Sequence, residues 1–147
     1  MTSEFDLRYG EIIQHKVSGF KLEDVANELS IKLENIVKAI ILEYSNVNPI
    51  VCIIRSVDRL QTKNIKILTG KKFSFMKDDN LSKLGVSPGA IPPFIGFQHH
   101  FKTFIDEKLS LDDNYYGSGG SVYNACKFSV PNYIQLGGEI KNLTTSA

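Results

Sequence analysis

The chain has no tryptophan, and only three histidines and two cysteines among its 147 residues. The cysteines, Cys52 and Cys126, each stand inside an apolar segment and form no Cys-x-x-Cys pair. That excludes zinc-ribbon and thioredoxin-like redox signatures and predicts two buried, reduced thiols. No apolar run reaches the roughly 20 residues a membrane helix needs. Residues 1–10 carry Glu4 and Asp6 and lack the apolar stretch of a signal peptide. The expectation is a soluble cytosolic protein, for which the Asn142-Leu143-Thr144 sequon has no consequence. An excess of one charge is also missing. The net charge of +1 differs from the strongly basic balance of dedicated nucleic-acid binders and leaves room only for a local basic patch. There is no Gly-x-Ser-x-Gly elbow, no His-Glu-x-x-His, no P-loop and no dinucleotide fingerprint. No covalent nucleophile with a partnered base is visible.

What is present is an ordinary globular composition, 42% hydrophobic and 22% charged. A single compact domain over residues 1–147 of this size buries about 68–70% of its unfolded surface and folds without a disulfide or metal staple. Residues 9–15 read as a short strand. In residues 21–30, Leu22, Val25, Ala26 and Leu29 fall at i, i+3, i+4 and i+7, one apolar stripe on a helix. Residues 31–37 read as a turn. KAIILEY (38–44) and IVCIIR (50–55) read as the two strands of a hairpin, each buried on both faces. Residues 62–68 predict a helix closed by Gly70, residues 71–76 a half-buried strand, and residues 78–84 another short helix. Residues 101–106 and 126–130 read as strands, and residues 131–136 as a one-turn helix opened by proline. The last ten residues are polar and read as a partly frayed end. The class is α+β, with six or seven strands and two to four helices around a curved sheet.

Several residues stand out against this frame. Lys38 opens an apolar run; it either snorkels to water or points a cation into a pocket that holds a phosphate or carboxylate. Residues 85–96, GVSPGAIPPFIG, hold three glycines and three prolines in twelve positions. They form either a stiff connector or a rigid loop that brings bare backbone amides to a ligand. Gly117-Ser118-Gly119-Gly120 reads as a second loop between strands, a tight turn or a close approach of backbone to a ligand. Phe20, just before the first helix, is either a core contact for that helix or an aromatic wall for a base. His99 and His100 are adjacent; on a strand they would face opposite ways and would not share a metal.

In this order the pieces resemble the YbaK/prolyl-tRNA-synthetase-associated domain family, over about residues 9–136. Residues 12–15 (IIQH) resemble its first strand, which ends in a histidine, and LEDVANELSI (22–31) its alanine-bearing helix. Lys38 falls at the position of the family's characteristic lysine. Gly89-Ala90-Ile91-Pro92-Pro93 matches its Gly-x-x-x-Pro loop. KTFIDEKL (102–109) resembles a strand with a terminal acid or amide, and Ser118-Gly119-Gly120 matches the last glycine loop. The chain departs from the pattern at Lys16, where the family has proline.

The resemblance implies a single compact α+β domain with a curved mixed or antiparallel six- to seven-stranded sheet and flanking helices. It further implies a cytoplasmic, trans-acting deacylase that hydrolyses the ester of a mischarged small amino acid on tRNA, that of proline above all. Lys38 and Gly89 would be the catalytic positions. Lys38 would hold the terminal adenosine, and the loop of Gly89, Ala90, Ile91, Pro92 and Pro93 would aim N–H groups at the ester carbonyl. Ser118, Gly119 and Gly120 would shape the far wall, and Phe20 would contact substrate. Water or a substrate group would be the nucleophile, with no metal and no cofactor. The implied partners are the tRNA 3′ end and prolyl-tRNA synthetase, with no DNA and no membrane. The alternative is a non-catalytic module of the same fold that binds a tRNA end, a nucleotide or a synthetase.

Overall fold

The computed structural model describes residues 6–146. The reading of residues 1–10 therefore falls partly on residues 1–5, outside the described residues. The centre of the fold is the strand β3, Ile50–Arg55. Its first five residues are all buried, as an unbroken apolar run requires. β2, Val37–Glu43, pairs with it antiparallel, with Lys38 opposite Ile54 and Leu42 opposite Ile50. β5, Lys102–Asp106, lies parallel on the other side of β3. β4, Ser74–Phe75, and β8, Glu139–Lys141, complete a five-stranded sheet of order β4-β2-β3-β5-β8.

A second, three-stranded antiparallel sheet has the order β1-β7-β6, built from Glu11–Gln14, Asn124–Ser129 and Asn114–Ser118. A parallel bridge between Ile36 and Tyr116 ties this sheet to the start of β2. The alternation of side chains then divides the core. Val37, Ala39, Ile41, Val51, Ile53 and Ile105 face Tyr115, Cys126 and Phe128 of the smaller sheet. Leu42, Ile50, Cys52, Ile54 and Phe104 face the opposite way, onto Leu60, Ile65, Phe73 and Leu143.

The helices follow their sequence signals. α1, Leu22–Leu29, turns Val25 and Ala26 inward and keeps Glu23 and Asp24 in its first turn, where the helix dipole favours them. α2, Thr62–Thr69, stops at Gly70, whose φ of +74° and N–H bond to Lys66 O make a left-handed cap. α3 spans Asp78–Lys83. α5, Val130–Gln135, has Pro131 in its first turn, and the Ser129 hydroxyl accepts the Asn132 N–H.

Five expectations change. β4 is two residues long rather than six, because only Leu42 and Glu43 offer it partners and Phe73 turns into the core. Residues 95–99 form a helix, α4 (Ile95–His99), that the proline-rich stretch concealed; the Ile95 N–H bonds Pro92 O, so the prolines lead into the helix instead of opposing it. His99 and His100 consequently lie at a helix end and its left-handed cap, not on a strand. Gly117 and Ser118 belong to β6, so the loop begins at Gly119. Residues 138–146 are not frayed, Ala147 lying outside the described residues: β8 pairs with β5, and Leu143 and Thr144 are buried. The Asp106 carboxylate holds them, accepting from Leu143 N–H at 2.8 Å and from the Thr144 hydroxyl at 2.9 Å. This explains the acid at the end of residues 102–106.

Both cysteines are free and buried. Burial pushes the thiol of Cys52 up to about 12 and that of Cys126 up to about 11, so neither forms a nucleophilic thiolate near neutral pH.

Candidate functional site

β2 is not buried on both faces, in contrast to the expectation. Lys38 is exposed and Ile40 half-buried, while Val37 and Ala39 are inside. The reason is a cavity of about 400 Å³ at this end of the strand, within the range of small-molecule sites. Val37, Lys38, Ala39 and Ile40 form its floor and Leu22 and Val25 of α1 its roof. Tyr116, Gly117 and Ser118 of β6, with Asn124 and Ala125 of β7, make one wall. His15, Gly19 and Phe20 make the back, and Gly89 and Ile91 the lip.

Five of the residues singled out in the sequence thus line one cavity: Lys38, Gly89, Ile91, Ser118 and Phe20. The other five do not. Ala90, Pro92 and Pro93 are buried behind the lip, and Gly119 and Gly120 lie in the loop beyond the wall. The two loops nonetheless abut. A Cβ on Gly117 would stand 2.8 Å from two ring carbons of Pro93, so only glycine lets β6 approach the loop this closely. Pro92 lies in ordinary van der Waals range of Gly120, where a Cβ would stand 3.8 Å from its ring. The close approach at Gly117 is to protein rather than to a ligand.

The lip is shaped by backbone. Gly89 has φ of +81°, a conformation that side chains rarely adopt, although a Cβ there would touch only the Phe20 ring at 3.7 Å. The Ala90 N–H bonds Ser87 O at 3.0 Å. Among the described residues the N–H groups of Gly89 and Ile91 make no hydrogen bond, and Pro92 and Pro93 have none to offer. Phe20 is 74% exposed, which rules out a core contact and leaves it as an aromatic surface beside Gly89. Ser118 Oγ accepts the Gly120 N–H at 3.0 Å, fixing the start of the loop. Lys38 forms no ion pair among the described residues.

Sequence reasoning missed His15 and Asn124, which line this cavity, and Glu28, which supports its back wall from outside. His15 is only 7% exposed and lines the cavity. Its Nδ1 stands 2.7 Å from Val17 O, so Nδ1 carries the proton and Nε2 of the neutral ring is left as an acceptor. Glu28 accepts the N–H groups of Lys16 and Val17 at 2.9–3.0 Å, tying α1 to the segment that carries His15. Those backbone bonds, that of Val17 above all, hold its carboxyl below the ordinary range. Asn124 closes the far wall, accepting the Gly119 N–H on its backbone oxygen and the Ser121 N–H on Oδ1. The histidine that follows β1 is the one local signal; the Glu28 and Asn124 contacts exist only once the chain has folded. Among the described residues no group of three or more His, Cys, Asp or Glu side chains is placed to hold a metal ion.

The family model for the aminoacyl-tRNA editing domain matches residues 17–136, most of the chain. The chain belongs to the aminoacyl-tRNA editing domain family. The editing fold extends to solved structures of low sequence identity. One, of a protein proposed to be a trans-editing enzyme for prolyl-tRNA synthetase, superposes with a TM-score of 0.82 at 17% identity, covering 92% of this chain and 87% of that one. A hypothetical protein superposes with a TM-score of 0.81 at 20% identity, covering 92% and 91%. At such identities the likeness concerns the fold of this editing domain. No curated protein sequence matches it. No helix among the described residues is long and apolar enough to cross a membrane.

Proposed function

We propose that this chain is a trans-acting aminoacyl-tRNA deacylase, working in the cytoplasm without a cofactor on the 3′ end of a tRNA charged with the wrong small amino acid. Membership of the editing family supports the substrate class. The observation that carries the reading is that Lys38, Gly89 and Ser118, distant in sequence, share one cavity with a free ammonium at one side and free amides at another.

In this reading Lys38 binds the phosphate of the terminal adenosine as a point charge, and Phe20 offers a face for its base. The ester carbonyl lies against the lip, where the N–H groups of Gly89 and Ile91 meet the developing oxyanion. A water adds to the carbonyl carbon, and the bond from that carbon to the ribose oxygen breaks. The proton lost by the water is taken by His15 Nε2 and returned to the leaving oxygen. The products are a free amino acid and a tRNA with a free hydroxyl. The apolar walls from Leu22, Val25, Ile36 and Ala125 suit a small uncharged side chain and disfavour a charged one. The pairing with the tRNA of proline and with prolyl-tRNA synthetase belongs to the same reading.

The test is deacylation of a panel of mischarged tRNAs by the wild type and by Lys38→Ala. Release of one amino acid by the wild type, reduced in the variant, is expected. No release from any tRNA by folded wild-type protein would move the assignment to a binding module of the same fold.

A further inference from the structure

The charge of this chain is unevenly distributed. Residues 59–77 contain six basic residues and no acid, so this stretch carries +6 while the remainder carries −5, which together give the net +1. Four of the six, Lys63, Lys66, Lys71 and Lys72, are exposed on α2 and on the turn that leaves it. Among the described residues none of these four is in an ion pair. Lys77 differs, since the Glu43 carboxylate accepts its backbone N–H and lies close enough to feel its charge. Ile67 stands among the four lysines and Phe75 just after them, both more than half exposed. Four cations on one strip repel one another, and among the described residues no ion pair offsets them. A polyanion would.

The position of the strip says which polyanion. Lys38, Ile40 and Leu42 point to the same face of the five-stranded sheet, since they alternate along β2. Leu42 packs in the cluster that contains Ile65 of α2. Ile40 touches that cluster and also lines the cavity. From Lys38 to Leu42 is roughly 13 Å of strand at about 3.3 Å per residue. Phe75, opposite Leu42 in the register, lies at the edge of the same face. A chain of phosphates whose end sits beside Lys38 therefore has this strip in front of it.

We infer that α2 and the turn into β4 form a docking strip for the phosphodiester backbone of the tRNA upstream of its 3′ end, read by charge and not by sequence. This rests on the proposed tRNA substrate for the reason a tRNA arrives, but it is tested without any chemistry. Binding of uncharged tRNA is measured by fluorescence anisotropy over a salt series. The full chain is compared with the Lys63→Gln/Lys66→Gln/Lys71→Gln/Lys72→Gln variant. A control replaces Lys32, Lys83, Lys102 and Lys141 by glutamine, removing equal charge elsewhere. In the strip variant the slope of log affinity against log salt is expected to shrink by about 0.7–0.9 for each phosphate no longer neutralised, with at least about a tenfold loss of affinity at ~0.1 M salt. The control should change much less. An unchanged slope, an equal change in both variants, or no binding by the wild type overturns the docking strip. Loss of binding to prolyl-tRNA synthetase in place of tRNA overturns it too, and makes the strip a protein surface. Deacylation is scored separately: a wild type that binds tRNA through the strip but hydrolyses none retains the docking strip and removes the deacylase reading. A strip variant that deacylates and binds like the wild type does the reverse.

Discussion

β2 and β3 are neighbours with closely similar sequences, VKAIILE and IVCIIR, yet they do different work. β3 has β2 on one side, β5 on the other, a second sheet above and α2 below, so its first five side chains have no access to water. β2 pairs with β3 from Val37 to Leu42, but on its other side it has β4 only at Leu42 and Glu43. Its first residues lose the helix cover, and Lys38 and Ile40 open onto the cavity. Hydrophobicity alone does not separate such strands; what separates them is how far the covering layers extend. The single lysine in the pair marks the place where cover ends, because a buried unpaired ammonium would be far too costly.

The sharpest way to break this comparison is to truncate one side chain in each strand. Ile53→Ala, in β3, should destabilise the fold by about 2–5 kcal/mol in chemical denaturation while leaving folded molecules active. Lys38→Ala, one strand away, should leave stability within about 0.5 kcal/mol and lower deacylation about 10- to 100-fold, the effect of removing one charge-assisted hydrogen bond. If Lys38→Ala unfolds the protein instead, the lysine belongs to the core and not to the site.

A second test probes the other flank of β3. Asp106→Ala strips the partners from the buried Leu143 N–H and Thr144 hydroxyl, and each unsatisfied group costs about 1–3 kcal/mol. Amide exchange in residues 142–145 should accelerate most, and Asp106→Asn, which keeps an acceptor, should do less harm. The smallest effect concerns the cavity's back wall. Glu28 has a folded pKa below its unfolded value of about 4.3. Its anchoring of Lys16 and Val17 is therefore fully present above that value and lost as pH falls through the lower folded pKa. Thermal unfolding between pH 6 and 3 should fall more steeply for the wild type than for Glu28→Gln, whose curve lacks this contribution. Coinciding slopes would show that Glu28 does not hold the wall.

The parts of the fold legible in the sequence are those decided locally. The stripe of Leu22, Val25, Ala26 and Leu29, the apolar run of β3 and the Gly70 cap depend on neighbours a few residues away. β8 escaped because its partner is β5, with Glu139 opposite Phe104, and polarity along a three-residue edge strand carries no sign of that pairing. α4 escaped because prolines suggest a stop, whereas Pro92 here accepts the first turn's hydrogen bond. At the site, order and spacing named Lys38, Gly89 and Ser118. They could not tell that Ile91 faces the cavity while Ala90, Pro92 and Pro93 turn away, nor that His15 is its most enclosed polar side chain. Those facts are set by how two loops meet.

The contact of Gly117 with the Pro93 ring has an evolutionary corollary. Two positions separated by more than twenty residues share one volume, so neither can drift alone. A larger residue at 117 is tolerable only where the ring at 93 has been replaced by something smaller, and a lineage that makes the exchange in the wrong order passes through a protein whose lip and wall no longer meet. Among relatives, side-chain size at these two positions should vary inversely.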